Sequence, residues 1–268
     1  MDSQIVIFTD LDGTLLDHDS YSYDAAKPAL DYIHKHNIPL IFTTSKTAIE
    51  IEHLCEQTDF YHPYIAENGG LLAIPENYFS EQDTTKNYTK TIIGKTRAEI
   101  NHVLNNLTNS YKFKSFNDMS IDELVSYTGL EQNQAYYANL RDSTEPLLWM
   151  ENSEKITSFV AELKKHDLSL ISGGRFHHVM GRHDKAATMS TLLDKFTCYW
   201  NTKIISIALG DSPNDLEMLY NANHGVIIPN PNAPRMCAGN HVNLSYAEKP
   251  GPQGWSDSLL ALLKELRK

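Results

Sequence analysis

Short apolar runs alternate with stretches of helical periodicity over the first 70 residues of this chain. Residues 5–9 form a continuous β-rich apolar run that stops at a turn signal, which predicts a buried strand. Residues 25–36 place Ala29, Leu30 and Ile33 at helical spacing, with Pro28 acceptable only in the first turn. Residues 38–42 predict a second buried strand and residues 46–57 a helix. Residues 64–66 predict a third strand, which runs into Glu67-Asn68-Gly69-Gly70. Strand–helix–strand alternation of this kind implies an α/β fold with a doubly wound parallel sheet.

The pattern changes near Pro75. Residues 76–91 are polar, rich in Glu, Asn and Thr, and read as a boundary. Beyond them, helices are expected at 96–107 and 154–165, with a further helical stretch around 121–140. Strands are expected at 145–150, 168–172 and 176–180, the last two flanking the hairpin signal Gly173-Gly174. Helices and strands segregated in this way suggest a small α+β insert. Alternation then returns: a helix at 185–196, a strand at 203–209, a short helix at 216–221, a strand at 225–228 and an amphipathic helix at 256–266. The expected organisation is a sheet domain split into residues 1–82 and 183–268, with an inserted domain at 83–182.

Bulk properties narrow the function. A chain of 268 residues with 41% apolar residues builds a real core. The formal charge of −11 argues against nucleic acid as a partner, because phosphate-backbone binding needs basic surface. It leaves a phosphorylated small molecule open, since local cations and a metal can outvote the global field. Cys55, Cys198 and Cys237 form no CxxC pair and fit a reducing compartment. With no signal-peptide pattern and no apolar run of membrane-spanning length, the expectation is a soluble cytoplasmic protein.

The candidate chemistry gathers at strand ends and the helix starts that follow them. Asp10 and Asp12 stand two residues apart where the first strand stops, so they begin on one side of an extended chain. Acids at the C-terminal edge of a parallel sheet lie where such folds bind ligands. Two of them can share a divalent cation, and one can attack while the other handles protons. Thr43-Thr44-Ser45-Lys46 follows the second strand and offers hydroxyls and amides to an anion, although the same residues make a plain helix cap. Lys185 opens the helix that re-enters the sheet domain. Gly210-Asp211-Ser212-Pro213-Asn214-Asp215 follows a late strand, where a turn is the bland alternative and completion of a metal shell the functional one. No HExxH or Cys/His cluster points to zinc, and no GxGxxG follows the first strand.

Taken together, these residues resemble the haloacid dehalogenase-like (HAD) phosphatase superfamily. Asp10-Leu11-Asp12-Gly13-Thr14-Leu15 is similar to its first motif, DxDGTL. Thr44 falls at the second, Lys185 at the third, and Gly210-Asp211-Ser212-Pro213-Asn214-Asp215 at the fourth, GDxxND. Ala186 stands where a glycine commonly follows the third-motif lysine, and the adjacent Thr43 and Thr44 leave the second motif open to a one-residue slip. The resemblance implies a Rossmann-like HAD core, with the insert as a type-2 cap. Within the superfamily, Phe42-Thr43-Thr44-Ser45-Lys46-Thr47, Glu67-Asn68-Gly69-Gly70, Gly174-Arg175-Phe176-His177-His178-Val179 and Gly251-Pro252-Gln253-Gly254-Trp255 resemble mannosyl-3-phosphoglycerate phosphatases.

What this implies is a Mg²⁺-dependent phosphatase acting on a phosphorylated sugar acid, with 2-O-mannosyl-3-phosphoglycerate as the leading substrate. Asp10 is then the nucleophile and Asp12 the general acid and base. Thr44 and Lys185 hold the phosphoryl oxygens, while Asp10, Asp12, Asp211 and Asp215 serve the metal. Substrate contacts are expected from Thr44, Ser45, Lys46, Lys185 and Asn214 in the core, and from Arg141, Gly174, Arg175 and His177 in or near the cap. His177 and His178 alternate along a strand, so only one of them can face the site. The rival readings are a phosphosugar phosphatase of other or broad range, a sugar phosphomutase, and a phosphosugar-binding regulator without turnover. Hinges for cap closure are expected near residues 76–90 and 181–184.

Overall fold

The central strand of the molecule, β1 (Gln4–Thr9), contains the apolar run at the start of the chain and is buried along nearly its whole length. The computed structural model describes residues 4–173, 176–231, 236, 237, 239 and 241–267. After β1 come α1 (Lys27–Lys35), β2 (Leu40–Phe42), α2 (Ala48–Thr58), β3 (Tyr64–Ala66), β4 (Leu71–Pro75) and β5 (Tyr88–Ile92). The middle of the chain forms α3 (Arg97–Leu107), β6 (Phe113–Ser115), α4 (Ile121–Thr128), α5 (Gln132–Asn139), β7 (Thr144–Trp149), α6 (Glu154–Lys164), β8 (Leu168–Gly173) and β9 (Phe176–Gly181). The last part forms α7 (Lys185–Trp200), β10 (Ile204–Gly210), α8 (Leu216–Asn221), β11 (His224–Ile227), β12 (Leu244–Tyr246) and α9 (Gly251–Leu266).

The main sheet is parallel, in the order β12-β11-β10-β1-β2. Period-two alternation divides its side chains between two cores. Ile5 and Ile7 face α1, α2 and α9, where Trp255, Leu259 and Ile33 lie. Val6 and Phe8 face α7 and α8, packing with Met189, Phe196 and Met218. Helices on both faces make this a doubly wound α/β layer structure, as expected. Pro28 lies in the first turn of α1, where its missing N–H costs nothing.

The inserted part is an antiparallel sheet in the order β6-β7-β9-β8. One face is covered by α3 and α6 through Ile100, Leu104, Phe159 and Leu163. The other meets α4 and α5 through Leu124 and Ala135, joined by Phe116 from the turn before α4 and by Leu148 and Phe176. The helical stretch expected around 121–140 is two helices. Gly129 at φ 79° ends α4, and Glu131 caps α5.

The boundary differs from the expected residue 82. β5 pairs antiparallel with β4, and β4 with β3, so residues 88–92 belong to a three-stranded sheet beside the core. An isolated parallel bridge from Thr43 to Ile65 ties that sheet to β2. On this pairing the chain crosses into the cap at residues 93–96 and returns at 181–184. The polar tract that suggests a linker is largely the loop of a hairpin.

His62 is half-buried against Tyr78, whose hydroxyl lies 2.8 Å from Nδ1. Burial, with His34 nearby, pushes this imidazole down to about 4. A depressed histidine adds stability that is full above its unfolded value and is lost as pH falls through the folded one. The urea midpoint of the protein is therefore expected to fall between pH 6.5 and 4. His62→Gln, which keeps a polar partner for Tyr78, is expected to flatten that fall. An identical pH slope in the variant would show that His62 does not contribute.

Candidate active site

The ends of β1, β2 and β10 converge with the start of α7, and each delivers one part of the site. Asp10 follows β1, with its amide bonded to Leu209 O at 2.9 Å. The chain then folds back on itself, Gly13 N to Leu16 O and Leu16 N to Leu11 O. Gly13 has φ +77°, and a Cβ there would lie 2.6 Å from Asp211 Oδ2. The DxDGT turn thus needs glycine for its backbone conformation and for the close approach of Asp211.

Lys185, the first residue of α7, is buried and donates to Asp10 Oδ1 and Asp215 Oδ1, each at 2.6 Å. Burial works to discharge this ammonium, but Asp10 and Asp215 outweigh it and hold the amine above its ordinary value. Asp215 is fixed through Oδ2, which accepts from the Asp211 and Ser212 amides at 3.2 and 3.0 Å. Asp211 accepts from Thr14 Oγ1 at 3.1 Å and from Asn230 Nδ2 at 2.7 Å. Burial, reinforced by Asp215, pushes Asp211 up to about 6. Burial likewise carries Asp10 well above the carboxylate range against the pull of Lys185, with Asp215 and Asp211 adding to the rise.

Three buried carboxylates therefore share one buried ammonium. Asp10, Asp211 and Asp215 each offer an oxygen within 4.8 Å of the others. An all-oxygen donor set with surplus negative charge fits a hard divalent cation. Asp10 and Asp211 are the better-placed ligands: Asp215 is held by a charged donor, Lys185, and by the 211–212 amides, whereas Asp211 accepts from the neutral side chains of Thr14 and Asn230.

Asp12 lies beside this cluster. Its Oδ2 pairs with Lys46 Nζ at 3.0 Å, and its Oδ1 is buried without a hydrogen-bond partner among the described residues. Burial lowers the Lys46 amine and Asp12 and Glu50 raise it, with a net rise. Thr44 is buried after β2, and its hydroxyl accepts from the Lys46 amide at 3.3 Å. Asn214 donates to Asn68 Oδ1 at 2.9 Å.

Glu67 and Asn68 join the site although neither was expected as a functional residue. Both have positive φ, 50° and 57°, followed by Gly69 at 98°. A Cβ on Gly69 would lie 2.2 Å from Asp184 O, so this loop is wedged against the residue that caps the Lys185 helix. Buried Glu67 accepts from the Asp142 and Ser143 amides at 2.7 and 3.2 Å, and thereby grips the strand entering β7. The quoted Glu67-Asn68-Gly69-Gly70 run carried that signal.

Of the cap residues, Arg141 reaches the core. Its Nη1 donates to Thr144 Oγ1 at 2.7 Å and to Ser45 O at 3.3 Å, and Nε donates to Ala138 O at 3.1 Å. Nη2 is left without a hydrogen bond among the described residues. His177 is placed differently from the expectation. It pairs across the sheet with Leu147 and Ser172, on the face that α3 and α6 cover, and its Nδ1 meets Ser172 Oγ at 3.0 Å. The pleat puts His178 on the opposite face. There its Nδ1 is buried without a hydrogen-bond partner among the described residues, and burial, with Arg141 and His177 nearby, lowers the imidazole to about 3. Gly174 and Arg175 lie outside the described residues. Among the described residues no helix is long and apolar enough to cross a membrane.

Comparison with known proteins agrees with this geometry. A profile described as haloacid dehalogenase-like hydrolase matches residues 7–249. A protein of Methanococcoides burtonii named glucosyl-3-phosphoglycerate/mannosyl-3-phosphoglycerate phosphatase is 37% identical over 265 residues, covering 96% of this chain and 97% of its own. A protein of the same name from Persephonella marina is 34% identical, covering 98% and 99%. The crystal structure of a haloacid dehalogenase-like hydrolase from Bacteroides thetaiotaomicron superposes with a TM-score of 0.68 at 18% identity, over 97% of this chain and 100% of that one. The match covers core and cap alike and includes every strand end that carries the acid set: this chain belongs to the haloacid dehalogenase-like hydrolase family.

Proposed function

We infer that the protein is a Mg²⁺-dependent phosphatase that releases phosphate from a 3-phosphoglycerate bearing a hexose on its 2-oxygen. The observation that carries the chemistry is the Asp10–Lys185–Asp215 arrangement with Asp12 two residues away. Lys185 fixes Asp10 through Oδ1, which leaves Oδ2 without a hydrogen bond among the described residues and available to attack phosphorus. In the first step an Asp10–phosphorus bond forms and the bond to the glycerate oxygen breaks, with Asp12 giving that oxygen its proton. In the second step a water oxygen displaces Asp10 from phosphorus and its proton passes to Asp12. Thr44 and the amides at the start of the 44–46 turn suit the equatorial phosphoryl oxygens, where charge develops. Asp10 and Asp211 would hold Mg²⁺, with Asp215 supporting them from behind Lys185. Bound there, the ion neutralises phosphoryl charge that the buried acids would otherwise repel.

The substrate class rests on the two relatives named for glucosyl- and mannosyl-3-phosphoglycerate, each matched over nearly its whole length. Arg141, with Nη2 unengaged among the described residues and its Nη1 bonded to Ser45 O, suits the glycerate carboxylate.

Phosphate release is expected from both hexosyl-3-phosphoglycerates, and Asp10→Asn is expected to lower it by roughly 10⁴-fold or more, as nucleophile loss does in other hydrolases. Near-wild-type turnover in that variant would reject Asp10 as nucleophile. Activity on other sugar phosphates but neither hexosyl ester would reject the substrate. Independently of turnover, Mg²⁺ at a hundred times its Kd is expected to stabilise the fold by about 2.7 kcal/mol, read as a rise in Tm. Asp211→Asn is expected to lose that rise. A wild-type Tm indifferent to Mg²⁺ would argue against the cation site.

A further inference from the structure

A cavity of about 320 Å³ lies between α2 of the core and α5 of the cap. Its volume falls within the range of small-molecule sites, roughly 300–1,000 Å³. Lys46 lines it, and the ammonium of Lys46 stands 3.0 Å from Asp12 Oδ2. The cavity therefore begins one side chain away from the group assigned to protonate the leaving oxygen. Whatever is attached to that oxygen has this space beside it.

The lining matches a sugar. Tyr21 and Tyr137 bring aromatic faces to it, and Gln57 and Gln134 bring amides. Aromatic faces take the apolar C–H side of a pyranose, while amides both donate to and accept from its hydroxyls. Gln134 lends its Oε1 to the cap of α5, accepting from the Glu131 amide at 3.3 Å, and among the described residues its amide hydrogens make no hydrogen bond.

Tyr21 supplies a second, independent observation. It holds φ 56°, a conformation that strains a bulky residue, yet the residue is 44% exposed. The loop enforces this through Tyr21 N to Asp17 O at 3.0 Å and Asp17 N to Ser22 O at 2.9 Å. The result is a ring centroid 5.1 Å from Lys46 Nζ. Among the described residues Tyr21 belongs to none of the packed core clusters, and the ring's place is at Lys46 and the cavity. On the other wall Tyr137 is held by α5. Its carbonyl accepts from Thr47 Oγ1 at 3.0 Å, and His53 lies against its ring at 4.7 Å.

We propose that this cavity is the subsite for the hexose of the leaving group, with Tyr21 and Tyr137 as its walls and Gln57 and Gln134 as its hydroxyl partners. The inference rests on the substrate reading above and gives the sugar a place. It also explains how one site serves glucosyl and mannosyl esters. The amides that meet the hydroxyls are exposed and rotatable, so neither C2 epimer leaves a buried polar group unpaired, which is the source of strong rejection elsewhere.

The test compares kcat/KM for mannosyl-3-phosphoglycerate, glucosyl-3-phosphoglycerate and 3-phosphoglycerate itself in the wild type, Tyr137→Leu and Gln134→Leu. Gln134 is exposed, so its variant keeps the experiment decisive even where Tyr137→Leu fails to fold. The wild type is expected to prefer the hexosyl esters. Each variant is expected to cut that preference about ten-fold, chiefly through KM. An unchanged preference in the folded variants would overturn the subsite and leave the phosphatase reading intact. A wild type that hydrolyses other phosphate esters but neither hexosyl ester would overturn the substrate reading and the hexose subsite together.

Discussion

One buried ammonium stands among three buried carboxylates, and much of the molecule is arranged to keep it there. Charges withdrawn from water are tolerated only when paired and fully hydrogen-bonded, and removing one partner of such a set typically costs about 3–5 kcal/mol. Lys185 satisfies one oxygen each of Asp10 and Asp215, and the 211–212 amides satisfy the other oxygen of Asp215. What is left over is negative charge on Asp10 and Asp211. That surplus is the electrostatic basis of a site suited to a cation and a phosphoryl group, which bring opposite charges to one place.

The same constraint explains the glycines. Gly13 lets the first loop approach Asp211, and Gly69 lets the 67–70 loop press against the residue preceding Lys185. Each brings backbone or side chain closer than a Cβ allows. Glu67, in that second loop, then reaches across to the strand entering β7. A single turn therefore braces the ammonium on one side and grips the cap on the other. The crossing segments are crowded as well: a Cβ on Gly94 would lie 2.1 Å from His183 Nδ1, so the two irregular segments that join cap to core run side by side.

The legible part of this structure is the part that buries continuous apolar runs and stops them abruptly. β1, β2 and β10 announce themselves by composition, and the residues at their ends carry the chemistry. β5 was hidden because its Tyr-Thr-Lys-Thr-Ile alternation is largely exposed, and β12 because three residues at a sheet edge leave little periodicity. His177 and His178 show a different limit. Adjacent strand residues face opposite ways, and only the register against Leu147 and Ser172 decides which of them turns toward Arg141. Glu67 shows a third limit: the Glu67-Asn68-Gly69-Gly70 run marks the loop, but the partners of Glu67 are amides some 75 residues along the chain, which no local pattern reveals.

β1 pairs on one side with β2, about 30 residues away, and on the other with β10, about 200 residues away. During synthesis this strongly apolar strand is therefore complete long before its second neighbour exists. The whole cap is translated in between. Until residue 210 emerges, one edge of β1 offers free N–H and C=O groups beside Val6, Ile7 and Phe8, which is the kind of edge that recruits foreign strands. Placing the cap inside the core thus has a cost borne by the nascent chain: a long interval in which the catalytic strand depends on α1, β2 and α2, or on a chaperone, for cover.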